Sequence, residues 1–127
     1  MEKRVYYHDT DAGGVVYYGN YLKYLEEART EYLETRGLSV KELREKGFLY
    51  AVRHCSVTYR SPARYGDTLV CDAELVKITA AQMFFKQNIY HKDDQRLLVE
   101  ADVTLVCLSP DFRPVQIPEE LKAAIGR

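Results

Sequence analysis

Between Tyr21 and Thr35 the apolar residues Tyr21, Leu25, Ala28 and Tyr32 recur at helical spacing, with Leu22 and Leu33 widening the stripe. Lys23, Glu27, Glu31 and Glu34 take the opposite side, and the pattern predicts an amphipathic helix of about 15 residues. Asn20 is the expected N-cap and Gly37 the stop, although Lys23 at N3 precludes a reciprocal capping box. A shorter helix follows, opened by Ser39 with Glu42 three residues on and ended by Gly47. Ahead of both, Arg4-Val5-Tyr6-Tyr7-His8 is rich in β-formers and predicts a first strand. From Phe48 to Leu108 the period changes to two, in about four runs separated by turn chemistry at Ser61 to Asp67, near Thr79-Ala80, and at Lys92 to Gln95. In the last run Leu97, Val99, Ala101, Val103, Leu105 and Cys107 face one way, and Arg96, Glu100, Asp102 and Thr104 the other. Pro110, Pro114 and Pro118 punctuate the tail, and Glu119 to Ile125 adds a helical turn or two.

A strand, a long helix and then four strands joined by short turns predict an α+β domain with a curved five-stranded antiparallel sheet. A helix of about 15 residues is about 22 Å long and covers one face of such a sheet only. Leu98, Val106 and Leu108 on the last run, and Val70, Val76 and Ile78 on its neighbour, are then left for the outer face. Self-association through a sheet edge or face is the expected remedy. The 127 residues, 46% of them hydrophobic, suffice for one domain with a real core. No internal repeat or low-complexity segment interrupts it.

Composition narrows the partners. Eighteen Lys and Arg against 19 Asp and Glu give a formal net charge of -1, so neither nucleic acid nor an anionic membrane is expected as the main partner. No apolar run reaches transmembrane length and Met1-Glu2-Lys3-Arg4 lacks the apolar stretch of a signal peptide, so a cytoplasmic address is expected. Cys55, Cys71 and Cys107 have no metal-binding spacing, sit inside apolar or alternating runs, and read as buried thiols. Eleven tyrosines without a tryptophan supply half-polar rings suited to core packing or to lining a cleft.

The chemistry concentrates in residues 7 to 21. Asp11 sits on a glycine-rich turn, Asp11-Ala12-Gly13-Gly14, just ahead of the long helix, so a carboxylate and the unpaired N–H groups of a helix start come together. Acyl transfer needs that pair: a nucleophile or base on one side of a carbonyl and hydrogen-bond donors for its oxygen on the other. The same spacing also lets Asp11 simply close an Asx-turn. Asp9-Thr10-Asp11 resembles the opening of a calcium loop, but Asn20 stands where that loop needs a bidentate Glu, and Asp9 is expected to order the turn instead. His8, His54 and His91 lack metal-ligand spacing, and no metal site is expected. Arg60 and Arg64 bracket a turn and are candidates for binding phosphate, while Tyr17 and Tyr21 are candidates for lining an acyl pocket.

Asp9-Thr10-Asp11-Ala12-Gly13-Gly14-Val15-Val16-Tyr17-Tyr18-Gly19-Asn20-Tyr21, then Glu27-Ala28-Arg29, then Tyr59 through Asp67, resemble the hotdog-fold thioesterases, in particular the YbgC-type acyl-CoA thioesterases and the 4-hydroxybenzoyl-CoA thioesterases. The resemblance covers nearly the whole chain. It implies a hotdog domain that assembles as a homodimer or homotetramer and hydrolyses acyl-CoA, or an acyl carrier protein thioester, without cofactor or metal. It further implies that the catalytic carboxylate is Asp11 and that the N–H polarising the thioester carbonyl is that of Tyr18. Tyr18 stands where many YbgC-type sequences carry histidine; a main-chain role survives that change, but the acyl pocket does not stay the same. Two rivals share the fold: a hydratase or dehydratase, whose usual histidine at the helix start is missing here, and a non-catalytic acyl-carrier-binding protein.

Overall fold

The computed structural model describes residues 1–125. In chain order the elements are β1 (Glu2–Arg4), a 3-10 turn (Tyr7–Asp9), α1 (Asn20–Glu34), α2 (Val40–Glu45), β2 (Leu49–Tyr59), β3 (Thr68–Cys71), β4 (Glu74–Ile78), β5 (Gln82–His91), β6 (Leu97–Leu108) and α3 (Glu119–Ile125). The strands form one antiparallel sheet in the order β1-β3-β5-β6-β2, with β4 also on β5. Strands β3 and β4 lie end to end along β5, against Ile89–His91 and Met83–Lys86 respectively. The sheet therefore has the expected five lanes, one of them broken. The break has a local cause: the Asp72 side chain takes the Asn88 N–H at 2.6 Å, occupying a place a strand neighbour would fill.

Helix α1 lies across the concave face and buries Tyr21, Tyr24, Leu25, Ala28 and Leu33 in a core with Val5, Leu69, Phe85, Ile89, Val103 and others. Burying such side chains contributes roughly 1.5–3 kcal/mol each, the dominant favourable term. The stripe is rotated slightly from its expected position, since Leu22 is exposed whereas Tyr24 and Arg29 are buried. Helix α2 is capped as its sequence predicts, with Ser39 Oγ accepting the Glu42 N–H at 3.2 Å. The other end of α2 closes on Gly47, at φ +90°.

Five expectations need correction. The first strand is Glu2–Arg4 and stops short of Tyr7 and His8, because Asp9 Oδ2 accepts the Tyr6 N–H at 2.9 Å and winds those residues into the 3-10 turn. Asn20 does not cap α1: Gly19 is the N-cap and makes no side-chain bond, and Asn20 Nδ2 instead donates to the Asp9 carbonyl at 2.9 Å. Leu98 is fully buried instead of facing outward, because the β5–β6 register shifts where Tyr90 pairs with Leu97 and Ile89 with Val99; the extra residue of such a bulge is re-aimed. Leu108 is buried too, where the tail returns to pair Pro114 with it and the Val115 N–H donates to Cys107. Of the three cysteines only Cys71 and Cys107 are buried; Cys55 is exposed on β2, which among the described residues pairs with β6 alone and forms a sheet edge. Among the described residues, no helix is long and apolar enough to cross a membrane.

Candidate active site

Residues 10 to 16 form a small hairpin. Thr10 pairs with Val16, the Asp11 N–H donates to Val15 O at 2.9 Å, and the Gly14 N–H donates to Asp11 O at 3.0 Å. The turn needs Gly14, whose φ of +79° is the left-handed conformation that side chains disfavour. Asp11 sits at the tip, exposed, with Oδ1 accepting the Gly13 N–H at 2.8 Å. The Asx-turn is thus present, and it holds the carboxylate in one orientation with Oδ2 unengaged among the described residues.

The hairpin is fastened on two sides. Val16 N–H donates to Ala63 O at 2.8 Å and Val15 pairs with Arg64, which ties it to the β2–β3 connection. Asp9, buried as its turn-ordering role requires, receives the Tyr17 N–H at 2.9 Å on its carbonyl, beside the Asn20 amide. The chain then enters α1 through a tight turn in which the N–H groups of Asn20, Tyr21 and Leu22 reach back three residues. Among the described residues the Tyr18 and Gly19 N–H groups donate to no acceptor. They are the free donors at the positive end of the helix.

A cavity of about 250 Å³ opens beside them, walled by Tyr18, Tyr21, Tyr59 and Arg60 among others. The tyrosines have different roles. Tyr21 is buried, and its hydroxyl accepts the Ala63 N–H at 2.9 Å; burial raises its pKa, with that hydrogen bond opposing. Tyr18 is 63% exposed, its ring 4.8 Å from that of Tyr17 and 6.3 Å from that of Tyr59. The Tyr17 ring is packed over Gly19, where an added Cβ would lie 2.7 Å from it. Tyr59 was not singled out from the sequence as a site residue, yet its ring is 5.6 Å from Tyr21 and its hydroxyl 3.4 Å from Tyr18 O. The signal was its place at the head of the Tyr59-Arg60-Ser61-Pro62 stretch.

The two arginines part company. Arg60 is on the cavity wall but forms an exposed ion pair with Glu100. The Arg64 side chain makes no ion pair among the described residues, while its backbone N–H is held by Asp67 Oδ2 at 2.8 Å. Of the hairpin only Val16 lines the cavity; Asp11, Tyr17 and Arg64 do not.

Residues 5–125 match the family model of the thioesterase-like superfamily. The chain is 38% identical over 121 residues to the acyl-CoA thioester hydrolase YbgC of Escherichia coli O6:H1, covering 94% of this chain and 90% of that protein. Its structure is similar to that of a 1,4-dihydroxy-2-naphthoyl-CoA thioesterase from Synechocystis, with TM-score 0.91, 27% identity, and 99% and 93% of the two chains covered. A 4-hydroxybenzoyl CoA thioesterase mutant complexed with 4-hydroxybenzoyl CoA, at TM-score 0.90 and 21% identity over 98% and 96% of the chains, shares the fold. With the family model matched over nearly the whole chain and these relatives beside it, the chain belongs to the thioesterase-like superfamily and is a thioester hydrolase of the hotdog fold.

Proposed function

We propose that the protein hydrolyses acyl-CoA to the free acid and CoA, with Asp11 as the reacting carboxylate and the Tyr18 N–H as the donor to the thioester oxygen. The observation that carries this reading is the pair of unspent N–H groups at Tyr18 and Gly19, next to a hairpin whose hydrogen bonds orient Asp11. Donors already aimed where an oxyanion develops need no reorganisation in the transition state, and losing one typically costs about a hundredfold or more in rate.

Two routes use the same groups. In one, an Asp11 oxygen attacks the thioester carbon, the C–S bond breaks, CoA leaves as its thiolate, and water cleaves the resulting anhydride. In the other, Asp11 takes a proton from water as the water attacks, and that proton passes to the departing sulfur. In both, negative charge builds on the carbonyl oxygen facing the helix start. Tyr17 and Tyr21 shape the mouth and wall of the acyl pocket. Arg64, which makes no ion pair among the described residues, and Arg60, shared with Glu100, are the candidates to meet CoA phosphates.

The assembly belongs to the same proposal. Strand β2 offers an unpaired edge of 11 residues, a length that proteins seldom leave open, and a second copy paired there would close the cavity mouths. An acyl carrier protein thioester presents the same reacting group and is the alternative substrate. The relatives named above support an enzyme acting on CoA esters, and the cytoplasmic address expected from the sequence is part of the same proposal.

The test is thiol release from a panel of acyl-CoA and acyl-carrier thioesters, with Asp11→Asn alongside. Release by the wild-type protein and a fall in kcat of roughly a hundredfold or more in the variant are expected. A variant that turns over at the wild-type rate would remove Asp11 from the mechanism. Altered double-bond content without thiol release would point to a hydratase.

A further inference from the structure

Among the described residues the Asp11 carboxylate bonds only to the Gly13 N–H of its own hairpin, so its place is inherited from whatever holds that hairpin. Two ties fasten it to the β2–β3 connection: the Val16 N–H donates to Ala63 O at 2.8 Å, and Val15 pairs with Arg64. Val15 in turn receives the Asp11 N–H on its carbonyl at 2.9 Å. The position of Asp11 is therefore set one step back, at Arg64.

Arg64 opens a tight turn, Arg64-Tyr65-Gly66-Asp67, that Asp67 closes. The Asp67 N–H donates to Arg64 O at 3.0 Å, and Asp67 Oδ2 accepts the Arg64 N–H at 2.8 Å. The other carboxylate oxygen faces a different strand. His91 ends the core-facing row of β5, after Met83, Phe85, Gln87 and Ile89, all buried, and it pairs with Leu69 at the start of β3, just past Asp67. Its Nε2 lies 3.3 Å from Asp67 Oδ1, and the two side chains are only 14% and 22% exposed, so the contact is largely shielded from water. Nδ1 accepts the Asp93 N–H at 3.3 Å, which leaves the hydrogen of the neutral ring on Nε2, the side of Asp67. Asp94 Oδ1, which also takes the Arg96 N–H at 3.0 Å, stands 3.4 Å from Nδ1 and faces the second ring hydrogen when the imidazole is charged. The Nε2 hydrogen is present in both states.

We propose that His91 is a positioning residue for Asp11: by holding the Asp67 carboxylate it fixes Arg64, and through Arg64 the hairpin that carries Asp11 toward the start of α1. The proposal rests on the thioesterase reading above, with Asp11 as the reacting carboxylate, and adds a residue that touches no substrate. Each link in the sequence His91, Asp67, Arg64, Val15, Asp11 is a contact between adjacent groups. A carboxylate restrained at one oxygen can still turn about its Cβ–Cγ bond, whereas one restrained at both holds its plane, and the Arg64 N–H with it. The reacting group needs that precision, since a displacement of about 1 Å can cost on the order of a hundredfold in rate.

The experiment compares His91→Gln with His91→Asn. Both are uncharged amides no larger than imidazole, but the glutamine amide reaches the place of Nε2 and the asparagine amide only that of Nδ1. His91→Gln is expected to keep kcat within about twofold of the wild-type protein, and His91→Asn to lower it roughly tenfold with KM changed by less than about twofold. Placed on Asp11→Asn, whose residual hydrolysis no longer uses that carboxylate, His91→Asn should cost nothing further. Amide hydrogen exchange supplies a readout independent of turnover: the Asp11 and Val16 N–H groups should exchange faster in His91→Asn and not in His91→Gln. Equal kcat in the two amide variants, a kcat loss that merely tracks the folded fraction seen by thermal melting, a further fall on Asp11→Asn, or unchanged exchange at both amides overturns this inference and leaves the thioesterase reading standing. No thiol release by the wild-type protein overturns the thioesterase reading and, with it, any role of His91 in turnover.

Discussion

At Gly19 a side chain's worth of space has been given to a neighbour. Its φ of -65° and ψ of -24° are helical, so alanine is acceptable to the backbone and is the better helix former. The conflict falls on Tyr17, whose ring occupies the place of the missing Cβ. Gly19→Ala is therefore expected to shift stability by less than about 1 kcal/mol while raising KM roughly three- to tenfold, as the Tyr17 ring swings off the helix start. Thermal melting and steady-state kinetics check the two halves separately. The glycine turn that carries Asp11 and the helix that follows it were legible in the chain, because a hairpin tip and a helix start are made by residues close in sequence, whereas the choice of the Tyr18 N–H came from the resemblance. Tyr59 and Arg29 were not legible. Their surroundings are set by neighbours 41 and 58 positions away, Tyr18 and Gln87, which no local pattern announces.

Elements show the same division. The helical period of α1, the cap of α2 and the alternation of β6 were correct because each depends on spacing within one segment. The bulge that turns Leu98 inward and the Asp72 interruption between β3 and β4 depend on which strand lies alongside, and their outcome differs from the regular alternation. The edge strand carries a prediction of its own. Ser56 and Val57 are adjacent on β2, so their N–H groups point to opposite sides of the strand, one toward β6 and one toward the free edge. A proline at each in turn should give one poorly folded protein and one that folds, since proline is tolerated on an edge where its missing N–H faced outward. If two copies pair through β2, the folded variant is expected to show half the wild-type mass by light scattering. An unchanged mass would move the interface elsewhere.

Across the whole molecule, buried ionisable groups set the alkaline limit of stability. The Cys71 thiol is pushed by burial from 9.0 to about 12, and burial raises the phenols of Tyr24 and Tyr50 as well. Each of these groups is neutral in the native protein while the unfolded chain sheds its proton above about pH 9 for the thiol and about pH 10 for the phenols. The unfolded state then binds fewer protons, so stability falls as pH rises. For Cys71 the fall begins near its unfolded value of 9.0 and ends once the native thiol itself ionises, at about 12, with a slope of about 1.4 kcal/mol per pH unit. Urea midpoints measured from pH 8 upward should decline over this window, and Cys71→Ala should lessen the decline.

What the chain by itself determined is whatever short-range geometry encodes: the helix, the capped turn, the alternating strands, and a carboxylate on a glycine hairpin before a helix start. Those features rest on hydrogen bonds and periodicities spanning a few residues. Tertiary structure alone decided which donors stay unpaired, which rings wall the cavity at Tyr18, and that the Arg29 guanidinium is buried against Gln87. Burial and pairing are properties of the packed sheet and helix together, so a residue's pattern in its own segment does not reveal them.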